Sequence, residues 1–275
     1  MGKLVCVIFI LSVGATLGFS IRRPGGVVGN DLLRKFHPYP FITGGEKVEG
    51  REFPGQISLQ SVSSGFVYHL CGASIVNANY ILTAAHCSQD APDQYSVLAG
   101  TNSLVKGGTR HNVTAIHYHE QYDPEHSWHN DLAVMKVDPP FVFDAEGATA
   151  PVTLADQEED TPVGSKATVI GWGVNADNGI MPDDLYKVDI QIWDQELCKE
   201  AYKPLEYEVY PEHICANTED GGKGSCSGDS GGPLFVNGKV VGLVSWAKGC
   251  DEKGFPTVFT RVSSYRDWID SNVSA

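Results

Sequence analysis

Short apolar runs recur along this chain from residue 42 onward, at 56–62, 74–83, 96–99, 132–137, 167–172, 234–236 and 240–245. Several alternate apolar with polar positions or are β-branched, and Gly, Pro, Asn and Asp punctuate them. Residues of that kind suit a pleated, half-buried surface, and turn signals at short intervals predict an all-β sandwich or barrel. Asn237-Gly238, between Leu234-Phe235-Val236 and Lys239-Val240-Val241, predicts a tight hairpin. The tail has a different period. Val262, Tyr265, Trp268 and Ile269 fall at helical spacing, with Ser264 and Asp267 placed like a start signal, so an amphipathic helix is expected over about 263–273.

The first twenty residues follow another pattern. Lys3 is followed by a nearly unbroken apolar run over 4–11, and Gly18 and Ser20 are small residues suited to cleavage. That is the layout of a secretory signal. The run is too short to span a bilayer and breaks at Ser12-Val13-Gly14. Residues 21–41 are rich in Gly, Pro and basic side chains, lack cysteine and show no period, as in a pro-segment. The expected chain is exported, with no membrane attachment once the signal is removed.

Composition narrows the partners. The chain carries 34 Asp+Glu against 20 Lys+Arg, a formal charge of −14, with no basic stripe interleaved with aromatics. Such a field repels phosphate backbones and excludes nucleic acid as a partner. Of seven cysteines, Cys6 lies in the signal. The remaining six suit an oxidising compartment and allow fifteen pairings, among which spacing does not choose. No C-x-x-C pair supports zinc. Asn112-Val113-Thr114 and Asn272-Val273-Ser274 match the glycan acceptor pattern.

Three segments carry chemistry: Thr83-Ala84-Ala85-His86-Cys87, Asn130-Asp131-Leu132-Ala133 and Gly228-Asp229-Ser230-Gly231-Gly232-Pro233. His86, Asp131 and Ser230 thus occur in one of the chain orders used to assemble a hydroxyl, its base and the carboxylate that orients the base. A serine hydroxyl is a weak nucleophile at neutral pH, so Ser230 needs a base within reach. The imidazole of His86 fits that role, with Asp131 on its other nitrogen. An esterase of α/β type would place its histidine last, which this chain does not. His126-x-x-His129 lacks further ligands at recognisable spacing, so no metal site is expected. Asp229, beside the candidate nucleophile, requires a cationic partner if buried.

Together with Ile42-Thr43-Gly44-Gly45, Gly171-Trp172-Gly173 and Ser245-Trp246, these motifs resemble the trypsin/chymotrypsin-type serine endopeptidases from residue 42 to about 268. The resemblance implies a protease domain over 42–275 made of two packed six-stranded antiparallel β-barrels, at about 42–145 and 146–260. The active site would lie in the cleft between them. It implies the pairs Cys71–Cys87, Cys198–Cys215 and Cys226–Cys250, and an oxyanion site at the N–H groups of Gly228 and Ser230. It further implies a zymogen cut between Phe41 and Ile42, whose new ammonium would pair with Asp229. Phe41 is not Lys or Arg, so a chymotrypsin-like activator is expected.

By the same resemblance, substrate specificity falls to Gly224 at the pocket floor, Ser225 near its base, Ser245 and Trp246 alongside, and Ala247 and Thr257 on the walls. With no aspartate at the floor and with narrowed walls, the chymotrypsin/elastase-like branch is expected. Small to medium aliphatic residues would be preferred, and large aromatics are the competitor. The loop Thr101-Asn102-Ser103-Leu104-Val105-Lys106-Gly107-Gly108 has no carboxylate where family members hold calcium, so no cofactor is implied. Expected partners are protein or peptide substrates and proteinaceous serine protease inhibitors, with the enzyme a monomer. The alternative is a catalytically inactive homologue acting as a binding or regulatory module. An intact triad argues against it.

Overall fold

The computed structural model describes residues 44–143, 147–174, 180–250 and 252–274. The signal, the pro-segment, Phe41 and Ile42 lie outside the described residues. A first barrel is built from β2 (Gln56–Ser63), β3 (Phe66–Ile75), β4 (Tyr80–Thr83), β5 (Tyr95–Ala99), β6 (Thr109–Tyr118) and β7 (Ala133–Asp138). It closes in the order β2-β3-β4-β7-β6-β5, every pair antiparallel. Its interior is filled by Ile57, Leu59, Ile75, Ile81, Val97 and Met135, all fully buried. Alternation delivers them: Ile57 and Leu59 are two apart on β2, and such positions share one face.

The second barrel is formed by β9 (Lys166–Gly171), β10 (Tyr186–Ile192), β11 (His213–Asn217), β12 (Pro233–Val236), β13 (Lys239–Trp246) and β14 (Thr257–Arg261). These pair antiparallel in the order β9-β10-β11-β14-β13-β12, and β12 returns to β9. Short strands β1 (Glu46–Lys47) and β8 (Thr153–Leu154) add to β10 and β13. The core around Val169, Ile190, Leu234, Leu243 and Phe259 also takes in Leu82, Leu132 and Val134 from the first barrel. One apolar cluster therefore joins the two barrels where β4 and β7 meet the second sheet. Burial of that seam fixes the backbone just beyond β4 and just before β7.

Local sequence explains the connections. Asn237 and Gly238 take φ of 50° and 79°, the two positive values a tight β12–β13 turn needs. The run at 74–83 is not one strand. Val76-Asn77-Ala78-Asn79 turn it back on itself, with Asn77 Oδ1 accepting the Asn79 N–H at 2.9 Å. Helix α1 (Gln195–Tyr202), which hydrophobic period did not reveal, is short and capped by Asp194, whose Oδ1 accepts from the N–H groups of Glu196 and Leu197. The closing helix α2 (Arg266–Val273) begins later than expected. Ser264 lies in a 3₁₀ turn over Val262–Ser264, and α2 starts after Tyr265 without a side-chain cap. Val262, Tyr265 and Ile269 are nevertheless buried, as their spacing predicts. Among the described residues no helix is long and apolar enough to cross a membrane.

The six cysteines form the three pairs implied by the resemblance: Cys71–Cys87, Cys198–Cys215 and Cys226–Cys250. The first joins β3 to the turn carrying His86, and the third joins the chain before Ser230 to the loop after β13.

Candidate active site

His86 sits on a 3₁₀ turn, Ala85–Cys87, entered directly from β4. Asp131 lies immediately ahead of β7 and is fully buried. The two meet at the seam. Asp131 Oδ2 accepts from His86 Nδ1 at 2.7 Å, and Oδ1 accepts the backbone N–H of His86 at 2.9 Å. A carboxylate on Nδ1 requires the proton there, which leaves Nε2 with a free lone pair. Burial pulls the His86 pKa down, but the charge and hydrogen bond of Asp131 outweigh it and leave the pKa above the ordinary imidazole value. From the second barrel, Ser245 Oγ donates to Asp131 Oδ2 at 2.6 Å and Thr260 Oγ1 donates to the Asp131 carbonyl at 2.8 Å. The buried acid is therefore fully hydrogen-bonded, as its desolvation demands.

The Ser230 loop is wedged between the barrels. Gly72 on β3 donates its N–H to the Ser230 carbonyl at 2.8 Å, and Gly231 donates to Val244 on β13 at 2.8 Å. Glycine is needed on both sides of this contact. A Cβ on Gly231 would lie 2.2 Å from Thr83 Oγ1, and one on Gly72 would lie 2.7 Å from the Gly232 Cα. The Ser230 loop thus packs against the end of β4, three residues from His86. Among the described residues no hydrogen bond joins Ser230 to His86. Such bonds are often long until substrate binds.

Gly228 has φ of 101°, and its carbonyl is held at 2.8 Å by Nε2 of His69. His69, which the sequence reading did not single out, is bridged on its other nitrogen to Ser58 Oγ at 2.7 Å. The Ser58 hydroxyl donates to Nδ1 and Nε2–H donates to Gly228 when the ring is neutral, and burial lowers its pKa to about 4. The N–H of Asp229 is used by Cys226. Among the described residues the N–H groups of Gly228 and Ser230, on either side of it, have no hydrogen-bonded acceptor. Two open donors flanking a consumed one can meet an anionic oxygen.

Asp229 is fully buried and accepts from the N–H groups of Gly173 at 2.8 Å and Cys226 at 2.9 Å. Burial raises its pKa to about 7 in spite of those donors.

A cavity of about 210 Å³ opens beside Ser230, lined by Ser225, Ser245, Trp246, Ala247 and Thr257 among others. Gly224, the expected floor, is buried next to Ser225 and does not line the cavity. Ser225 and Thr257 share a hydroxyl hydrogen bond at 3.1 Å, and no charged side chain is among the described lining residues. Trp246 continues into an aromatic group, its ring 6.2 Å from Trp128 and 5.5 Å from Tyr207. Trp128 escaped the sequence reading because it precedes β7 in an irregular segment with no period.

His213, also deeply buried, has its pKa lowered to about 4 by desolvation. A group that titrates near 6.5 when unfolded and near 4 when folded costs stability as pH falls between those values. His69 and His213 both act in that sense. Asp229, raised to about 7, acts in the opposite one: its contribution is present at low pH and lost as pH rises. Two histidines outweigh one carboxyl. Urea unfolding of the chain should show stability falling by on the order of 2 kcal/mol from about pH 6.5 to 4. His213→Gln should flatten that slope, and an equally steep slope in that variant would count against this assignment.

Comparison with known proteins supplies the family. The Trypsin family profile matches residues 42–269. A trypsin of Simulium vittatum is 40% identical over 221 residues, covering 79% of this chain and 87% of its own. A vitellin-degrading protease of Bombyx mori is 34% identical, covering 85% of this chain and 86% of its own. Trypsin-1 of Astacus astacus is 36% identical, covering 84% of this chain and 99% of its own. With that coverage and two closed six-stranded barrels, the chain belongs to the trypsin family and is a serine endopeptidase.

Proposed function

We propose that the protein is a secreted endopeptidase, made as a zymogen, that cleaves after uncharged residues through a Ser230–His86–Asp131 triad. The observation that carries the reading is the buried Asp131 carboxylate holding the backbone N–H and ring Nδ1 of His86, which leaves Nε2 free beside the loop that presents Ser230. Ser230 Oγ attacks the scissile carbonyl carbon as His86 Nε2 takes its proton. The resulting oxyanion is met by the N–H groups of Gly228 and Ser230. Collapse expels the amine, which takes the proton back from His86, and leaves an acyl ester. Water then attacks the ester, giving up its proton to His86, and the acid leaves as Ser230 recovers its hydrogen.

The uncharged cavity supports cleavage after aliphatic residues in the manner of the elastase-like branch. A lysine or arginine entering it would be desolvated without a counter-charge, a severe penalty. Ala247 and Thr257 narrow it, which favours Ala, Val or Leu over Phe and Tyr, although one methylene discriminates by only about 1–3 kcal/mol. Several relatives are named trypsins, which weighs the other way. A peptide library digested by the activated enzyme and read by mass spectrometry separates the two. Cleavage after Lys or Arg should be about a hundredfold or more less efficient than after Leu. Efficient cleavage after Arg would return the specificity to that of the named relatives.

Export through residues 1–20 and release of Ile42 by a cut after Phe41 complete the reading, with protein substrates and proteinaceous inhibitors as partners of a monomer. Of the two glycan acceptors, Asn112 is exposed on β6, whereas Asn272 Nδ2 already donates to the Trp268 carbonyl at 2.9 Å. Asn112 is therefore the better candidate.

A further inference from the structure

Asp131 is delivered to His86 by the residue before it. Asn130 has φ of 58°, the left-handed conformation that asparagine tolerates better than most residues. Its side chain is buried and used at both ends. Nδ2 donates to the Gln121 carbonyl at 2.7 Å, and Oδ1 accepts from the hydroxyl of Tyr265 at 2.8 Å. Its carbonyl accepts the N–H of Leu132 at 2.9 Å. The turn that aims Asp131 is thus closed on itself and tied to two points outside it, Gln121 and Tyr265.

Tyr265 comes from the far end of the chain, between the turn that follows β14 and helix α2. It is 5% exposed. Its N–H donates to the Val262 carbonyl at 3.0 Å, and its own carbonyl accepts from Ile269 at 2.8 Å. The ring lies edge-on to His119, 5.3 Å away. Burial, the backbone bonds and the His119 contact hold the ring with its hydroxyl on Asn130. The acid itself belongs to the first barrel, yet Ser245, Thr260 and, through Asn130, Tyr265 hold it from the second barrel and the C-terminal segment.

We propose that Tyr265 is a positioning residue for catalysis: its hydroxyl holds Asn130 in the left-handed turn that sets the Asp131 carboxylate against His86. This rests on the triad reading above. The bond reaches no reacting atom, so its effect must appear as a less well placed carboxylate. Because Asp131 raises the His86 pKa, a displaced carboxylate lowers it again. The acid limb of the rate profile then moves to lower pH. A bond that only stabilised the fold would lower the melting temperature and leave that limb where it was.

The test is Tyr265→Phe in the activated enzyme, with rates normalised to serines titrated by an organophosphonate. The expected result is kcat lower by about tenfold with KM within about twofold, and an acid limb shifted to lower pH. Asn130→Gly keeps the left-handed backbone accessible and removes the same bond, so it should repeat both changes, and the double variant should be no worse than Asn130→Gly alone. Unchanged kcat and an unmoved acid limb in Tyr265→Phe overturn the proposal, as does a fall in kcat with no shift of that limb. If Tyr265→Phe does not fold, Asn130→Gly decides by the same two readings. Ser230→Ala runs alongside: retained turnover there sinks the triad reading, whereas its loss beside an unaffected Tyr265→Phe sinks only the positioning role.

Discussion

Replacing Ser230 with alanine in the activated enzyme should lower kcat by about a hundred-thousandfold to a millionfold while leaving the fold intact. The size follows from the proposed triad, whose members would act as one unit. Without the hydroxyl, His86 has nothing to deprotonate at the carbonyl carbon, and the acyl-enzyme route closes. What remains is binding and the open donors at Gly228 and Ser230, which persist because they belong to the backbone. His86→Ala should cost nearly as much, and the double variant little more, since either change alone disables the unit. Turnover of a peptide substrate and labelling by an organophosphonate read the two effects separately. A Ser230→Ala enzyme retaining even a hundredth of the wild-type rate would falsify the assignment.

Asp229→Asn should separate cutting from activation. In the uncut chain Asp229 is sealed from water, held by the N–H groups of Gly173 and Cys226, with its pKa pushed up to about 7 by burial. An ionised carboxylate in that position is costly, and an ammonium brought against it would be strongly favoured. The proposed partner is the terminus created at Ile42. Removing one member of a buried pair costs about 3–5 kcal/mol, so the cut variant should lose roughly a hundred- to several-thousandfold in kcat/KM. N-terminal sequencing confirms that the cut at Ile42 was made. A correctly cut Asp229→Asn enzyme with near wild-type rates would remove Asp229 from the activation mechanism. The pH sign is equally specific. An ammonium paired with Asp229 has a raised pKa, so the activated state is stable below that pKa and is lost as pH rises through it.

Much of the architecture was legible because its cause is local. Strands β2, β5, β7, β12 and β13 appear as apolar runs, and Asn237-Gly238 marks its hairpin by the positive φ values only such residues accept readily. Other elements were missed for physical reasons. Helix α1 is only two turns long, too short for a period to emerge, and rests on one aspartate cap. Strand β6, Thr109–Tyr118, has only Val113, Ala115 and Ile116 as aliphatic residues, because much of it faces solvent. Ser264 looks like a helix start, but Tyr265 carries the chain into α2 because its ring must be buried.

The sequence by itself determined the all-β texture, an even set of six cysteines beyond residue 20, and which serine, histidine and aspartate stand in motifs suited to chemistry, since each depends on neighbours within a few residues. Only the tertiary structure decided which cysteines pair, which second-barrel hydroxyls grip Asp131, and that His69 and Tyr265 stand behind Gly228 and Asn130. Those partners lie from 16 to 159 positions apart in the chain. Folding of each barrel brings its cysteines together, the apolar seam between the barrels brings the site residues together, and no local pattern encodes those distances.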